Sequence, residues 1–217
     1  MQNNNNLQSE YSRSEYDIPH NLSIGYGVDL PFGKGKQFLS GVTGIGNVLL
    51  SGWRVNGITS IRNGVPLGML QVFAGSALSQ LGGGSGYFGF QGLYMRPDQV
   101  AGCGLGTSGS RQYRVDHGWF NTQCFTPVPF TDVRFGNAPR VNSDVRLDAM
   151  DNWDFSLAKN TPLTEALNLR FTAEFYNTFN HPRFAAPGNQ IGSPLFGLVT
   201  AQANLPRAIQ FGLRLDF

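Results

Sequence analysis

Five stretches of the chain alternate apolar and polar residues one by one, the period of a β-strand whose two faces meet different surroundings. Leu22, Ile24, Tyr26, Val28 and Leu30 alternate with Ser23, Gly25, Gly27 and Asp29. Trp53, Val55, Thr59 and Ile61 alternate with Arg54, Asn56, Ser60 and Arg62, and Ile58 breaks the polar row. Trp153, Phe155 and Leu157 alternate with Asp154, Ser156 and Ala158, with Lys159 on the apolar parity at the strand end. There a long side chain can reach toward water. Leu167, Leu169, Phe171, Ala173 and Phe175 share one face, and Asn168, Arg170, Thr172, Glu174 and Tyr176 the other. The chain closes with Ile209, Phe211, Leu213, Leu215 and Phe217 around Gln210, Gly212, Arg214 and Asp216. Strands are predicted near 20–31, 48–62, 152–159, 167–179 and 207–217.

Such strands have a strongly specified register, because sliding one by a residue carries its charges onto the apolar face. If that face met lipid, an arginine near the bilayer midplane would cost about 2–4 kcal/mol. Arg170 and Glu174, two same-face steps apart, are expected to lie close enough to pair.

The connections differ in kind. Pro31 to Asn47 is a short linker with the run Gly33-Lys34-Gly35-Lys36, and Thr161 to Ala166 is a tight turn opened by Thr161-Pro162. The link 63–150 is long, weakly periodic and rich in Gly, Pro, Ser and Asn, and His181 to Pro206 is a second irregular link. Short turns at one end and long loops at the other are the plan of an outer-membrane barrel. No run approaches the roughly 18 apolar residues of a membrane-spanning helix. The mean hydropathy of −0.20 is no objection to a barrel, since alternating strands average out. Five strands cannot close one, as bacterial single-chain barrels have about 8 or more. The N-terminus Met1-Gln2-Asn3-Asn4-Asn5-Asn6 has neither the basic start nor the apolar core of a signal peptide. The expectation is therefore an all-β chain whose residues 1–217 form the C-terminal part of a transmembrane β-barrel, with further strands upstream.

Composition narrows the function. The net charge is +2 and the arginines are scattered, so no nucleic-acid partner is expected. No catalytic residue, metal ligand or cofactor is assigned: His20, His117 and His181 are far apart and read as packing residues. Cys124 has no neighbouring base to make it a nucleophile. Gly33-Lys34-Gly35-Lys36 lacks the spacing of a phosphate loop and reads as a solvated turn, and Gly82-Gly83-Gly84-Ser85-Gly86 reads as a loop tip. Cys103 and Cys124 are candidates for one disulfide in an oxidising compartment, with two unpaired thiols as the alternative. Arg54, Asn56, Arg62, Arg170, Glu174 and Arg214 fall on the polar parity and are the lumen-facing candidates. They form either a salt-bridge network or contacts to a plug or ligand. Trp53, Phe155, Phe171 and Phe175 fall with the aliphatic residues, as lipid contacts or an interfacial girdle.

Several segments, in order, resemble the C-terminal region of TonB-dependent outer-membrane receptors of the Oar-like group, which carry a carboxypeptidase-regulatory-like domain. They include Asp17-Ile18-Pro19-His20-Asn21, Leu30-Pro31-Phe32-Gly33-Lys34-Gly35-Lys36, and Gly52-Trp53-Arg54-Val55-Asn56-Gly57-Ile58 followed by Asn63-Gly64-Val65-Pro66. Arg96-Pro97-Asp98, Trp119-Phe120-Asn121 and Phe135-Gly136-Asn137-Ala138-Pro139-Arg140 come next. The densest match is Arg170-Phe171-Thr172-Ala173-Glu174-Phe175-Tyr176-Asn177 with Phe179-Asn180-His181-Pro182, and Arg207-Ala208-Ile209-Gln210-Phe211-Gly212-Leu213 and Phe217 close it. The family usually has a Gly-Pro step near 145–151 where this chain has Arg146-Leu147-Asp148-Ala149-Met150, and the loop 73–90 is its own. The resemblance implies import of a scarce, bulky ligand, energised by the TonB complex through N-terminal parts outside this chain. It implies outer-membrane lipid as surroundings. It also implies an assembly signal in Phe211, Leu213, Leu215 and Phe217 for the barrel-assembly machinery. The competing reading is a soluble β-sandwich, a surface adhesin or carbohydrate-binding module, which would bury the apolar rows under a second sheet.

Overall fold

The computed structural model describes residues 2, 3, 5–72 and 94–217. The loop 73–90, with its tip 82–86, lies outside them. The chain divides into two compact units, residues 20–62, 149–183 and 204–217 in one, and 1–19, 63–148 and 184–203 in the other.

The first unit is a five-stranded antiparallel meander of β1 (Asn21–Asp29), β2 (Trp53–Arg62), β3 (Met150–Pro162), β4 (Asn168–Tyr176) and β5 (Ala208–Asp216), each beside its neighbours in sequence. Each register sets like against like: Val28 opposite Val55, Val55 opposite Leu157, Phe155 opposite Phe175, Phe171 opposite Leu213. The apolar rows thus merge into one continuous face and the polar rows into the other. Directly opposed side chains of this kind contribute roughly 0.2–1 kcal/mol a pair.

The links 30–52 and 163–167 join strand ends on one side of this sheet, where β5 also finishes. The predicted strand 48–62 starts later than expected. Residues 48–50 belong to a short helix, α1 (Gly44–Leu50), which lets Trp53 turn its indole nitrogen onto the Leu49 carbonyl at 2.9 Å. Thr161-Pro162 ends β3 instead of opening the turn. The reversal falls on 163–167, closed by Leu163 N–H to Leu167 O at 2.8 Å. A proline at a strand end leaves no ladder donor missing inside it.

The second unit corrects the view of the long links as irregular loops. Met69, Leu105, Trp119, Phe120, Cys124, Phe125 and Val145 form a buried core, against which Phe184, Ile191 and Phe196 pack from the second link. The Phe120 ring meets Phe125 and Phe196 edge-on at 5.9 and 5.2 Å. A helix α2 (Arg111–His117) is capped by the Ser110 hydroxyl, which accepts from Tyr113 N–H. Cys103 and Cys124 are disulfide-bonded. With so few strand ladders here, side chains satisfy the buried backbone. The Gln71 amide donates to Val128 O and accepts from Val128 N–H, at 2.7 and 2.8 Å. Asp148, almost wholly buried, accepts from Phe184 N–H at 2.9 Å and pairs with Arg111 at 3.0 Å. An unmet buried polar group would cost about 1–3 kcal/mol each.

Candidate functional site: the two faces of the sheet

The apolar face carries Leu22, Val28, Val55, Leu157, Phe171 and Leu213 from all five strands, and Trp53, Phe155 and Phe175 lie on it as expected. No second sheet of its unit covers it: Leu213 is 71% exposed and Phe211 68%. A β-sandwich would have hidden these side chains.

Polar groups that fall on this face have partners at hand. Thr59, 3% exposed, meets the Tyr26 hydroxyl at 3.2 Å. Asp151 accepts from the Trp153 indole at 2.8 Å and pairs with His181 Nδ1 at 3.2 Å. Lys159 donates from Nζ to the carbonyls of Val48, Leu49 and Ser51 at 2.7, 3.2 and 2.6 Å, where α1 ends and the helix dipole favours a cation. It also lies 4.9 Å from the Trp53 ring centre. This internal satisfaction is what an apolar surrounding demands. Aromatic side chains mark both ends of the face. Trp53 stands at one, and Trp153, Phe155 and Phe179 at the other, their rings 5.7–6.4 Å apart.

The opposite face collects Arg54, Asn56, Arg62, Arg170, Glu174 and Arg214. Arg54 donates to Asn56 Oδ1 at 3.0 Å and lies 3.5 Å from Asp29, and Asn56 donates to Ser156 Oγ at 3.3 Å. Arg170 and Glu174 do not pair. Arg170 Nε donates to Asn160 at 3.1 Å and Glu174 accepts from the Tyr176 hydroxyl at 2.9 Å. Four residues of strand span about 13 Å, so neighbours two steps along or across the ladder win. Arg214 pairs with Asp216. Arg62 stands at the end of β2 opposite Asn21 and Met150. Ile58, the break in the polar row, is 55% exposed and lines a concavity of about 340 Å³ with Asp154, Glu174 and Tyr176. Gly25 opens it, since a side chain there would meet nothing within 4 Å.

On β5, Phe211, Leu213 and Leu215 lie on the apolar face, and Phe217 follows the strand fully exposed. His20 and His181 belong to the first unit and His117 to the second, and no group of metal-ligating side chains exists among the described residues. No helix among the described residues is long and apolar enough to cross a membrane.

The second unit carries ion pairs whose partners lie far apart along the chain. Arg96 and Glu10 are both more than nine-tenths buried and meet through two hydrogen bonds, 2.8 and 3.1 Å. Burial pushes the Glu10 carboxyl up, but the Arg96 guanidinium outweighs it and holds the group below its ordinary value. The Arg134 fork on Asp98, 2.7 and 3.0 Å, lowers that carboxyl against the opposing effect of burial, and the Asn137 N–H assists. Arg146, bonded to the carboxylate and carbonyl of Asp17, lowers the Asp17 carboxyl likewise.

Comparison with curated proteins and with solved structures gave no match. The family described as "Outer membrane beta barrel domain" matches residues 1–210. Nearly the whole length is covered, and the sheet has the two-faced alternation that a barrel wall in lipid requires. The chain belongs to the outer membrane β-barrel domain family and is a component of the outer membrane.

Proposed function

We propose that the chain is the C-terminal part of a TonB-dependent receptor that imports a scarce, bulky ligand, to which it contributes barrel wall and surface loops. The observation that carries the reading is the meander itself. Five neighbouring strands present a mainly apolar face and a charged face, and the residues of the densest resemblance, Arg170 to Asn177, make most of β4 and its turn. In this reading the apolar face meets lipid, and Arg54, Asn56, Arg62, Arg170, Glu174 and Arg214 line the lumen toward a plug or the ligand. The edges of β1 and β5 pair with the remaining strands, because an open edge is not tolerated in hydrocarbon. The protein acts by binding and transport, not by catalysis. Phe211, Leu213, Leu215 and Phe217 serve as the signal to the barrel-assembly machinery.

The test is made on the native protein extracted from outer membranes in detergent. The proposal expects a heat-modifiable barrel that retains a purified periplasmic domain of TonB. A barrel without such binding would refute energised import and leave the family assignment standing.

A further inference from the structure

We propose that the second unit holds a binding cleft for neutral, hydroxyl-rich ligands such as oligosaccharides, built from asparagine side chains of two separated segments. The cleft has a volume of about 440 Å³, inside the range of roughly 300–1,000 Å³ of small-ligand sites, and its lining includes Asn3, Asn5, Asn6, Val133, Arg134 and Asn137.

Three of its four asparagines are oriented alike. Asn3 Oδ1 accepts from Asn5 N–H at 2.9 Å, Asn6 Oδ1 from Ser9 N–H at 3.3 Å, and Asn137 Oδ1 from Gln99 N–H at 2.6 Å. A backbone N–H can meet only the carbonyl end of a carboxamide, so the orientation follows from chemistry. In each case the oxygen is used by the protein's own backbone, and the NH₂ group is left with no acceptor among the described residues. Three residues therefore offer donors, two N–H each, at one cleft.

Charge decides between ligand classes. Arg134 is the cation here, and it is engaged by Asp98 at 2.7 Å and Asp132 at 3.1 Å, two carboxylates for one guanidinium. The local balance is −1, which disfavours phosphate, sulfate or a carboxylate. Neutral oxygen acceptors remain, and Val133, 55% exposed, supplies apolar surface for the C–H face of a sugar ring. The two segments are tied together. Gln2 accepts from Arg96 N–H at 2.6 Å and donates to Gly136 O at 3.1 Å, tying the N-terminal residues to the 133–137 loop. Gly136 admits the approach, since a side chain there would collide with the Pro97 backbone. Binding at this cleft does not depend on the import reading.

The full chain, folded in detergent, is applied to an array of neutral oligosaccharides (malto-, cello- and xylo-oligomers) and of sulfated and uronic-acid oligomers. Asn6→Asp and Asn137→Asp are compared with it. Aspartate keeps the oxygen that accepts the backbone N–H and removes the NH₂ donor, so the fold is preserved, as checked by an unchanged thermal transition. The proposal expects neutral oligomers to bind in preference to acidic ones, and the double variant to lose tenfold or more in affinity. No binding of neutral oligomers, a preference for acidic ones, or equal binding by the variant would each overturn it.

Discussion

Lys159 and Trp53 stand directly opposite one another on adjacent strands, the ammonium 4.9 Å from the indole centre and bonded to three carbonyls where α1 ends. The pair lets a charge sit on the apolar face at the sheet's end without an unmet donor. Lys159→Met keeps the length of the side chain and removes the cap. A cation at a helix C-terminus contributes roughly 0.3–2 kcal/mol. Amide exchange across 44–52 is expected to speed up by about tenfold while exchange in β2 and β3 stays unchanged, which hydrogen-exchange mass spectrometry reads directly.

Tyr26 covers Gly57 across the β1–β2 ladder: a β-carbon at Gly57 would collide with the Tyr26 ring, 2.6 Å from its Cζ. Gly57→Val must displace that ring, and with it the hydroxyl that meets buried Thr59 at 3.2 Å. Overpacking and an unmet buried hydroxyl each cost about 1–3 kcal/mol. The variant is expected to lower the urea midpoint of the refolded protein, and Tyr26→Ala added to it is expected to restore part of the loss. A strictly additive double variant would show that the two residues do not compete for the same space.

Closing a loop of 21 residues between Cys103 and Cys124 stabilises by about 3 kcal/mol in the chain-entropy account. Replacing both by serine is therefore expected to speed exchange in 94–148 while leaving the five sheet strands protected.

Strand alternation was legible because each face of the sheet meets one kind of surrounding, and period-2 patterns report that directly. The ladders put Arg54, Asn56, Arg62, Arg170, Glu174 and Arg214 on one face, the parity their positions carry, whereas β2 begins only at Trp53 because residues 48–50 are helical. The second unit was not legible. Its core residues Met69, Trp119, Phe125 and Phe196 come from segments far apart and follow no period. Their signal was density: aromatic residues too numerous for solvated loops. The partners of Arg96 and Arg134 were hidden for the same reason, since nothing local links Glu10 to residue 96. Arg170 and Glu174 share a face but stay apart, because four residues of strand span about 13 Å and each meets a nearer partner, Asn160 and Tyr176.

Low pH should loosen the second unit first. Glu10, Asp17 and Asp98 are held below their ordinary values of 4.5, 3.8 and 3.8 by Arg96, Arg146 and Arg134. Depressed carboxylates contribute stability that is fully present above the unfolded-state values and is lost as pH falls through the lower folded values. Near-ultraviolet circular dichroism of the unit's aromatic residues is expected to hold from about pH 7 to 5 and to decline below about pH 4. Glu10→Gln is expected to lower stability at pH 7 and to flatten that decline.

The most direct test of the account asks where the apolar row looks. Single nitroxide labels are placed at 210 through 215 in the protein reconstituted in bilayers, and their collisions with oxygen and with a water-soluble nickel complex are measured. The account predicts alternation: oxygen-accessible, nickel-poor positions at Phe211, Leu213 and Leu215, and the reverse at Gln210, Gly212 and Arg214. Uniform exposure to nickel, or shielding of the apolar positions from both reagents, would contradict a lipid-facing wall.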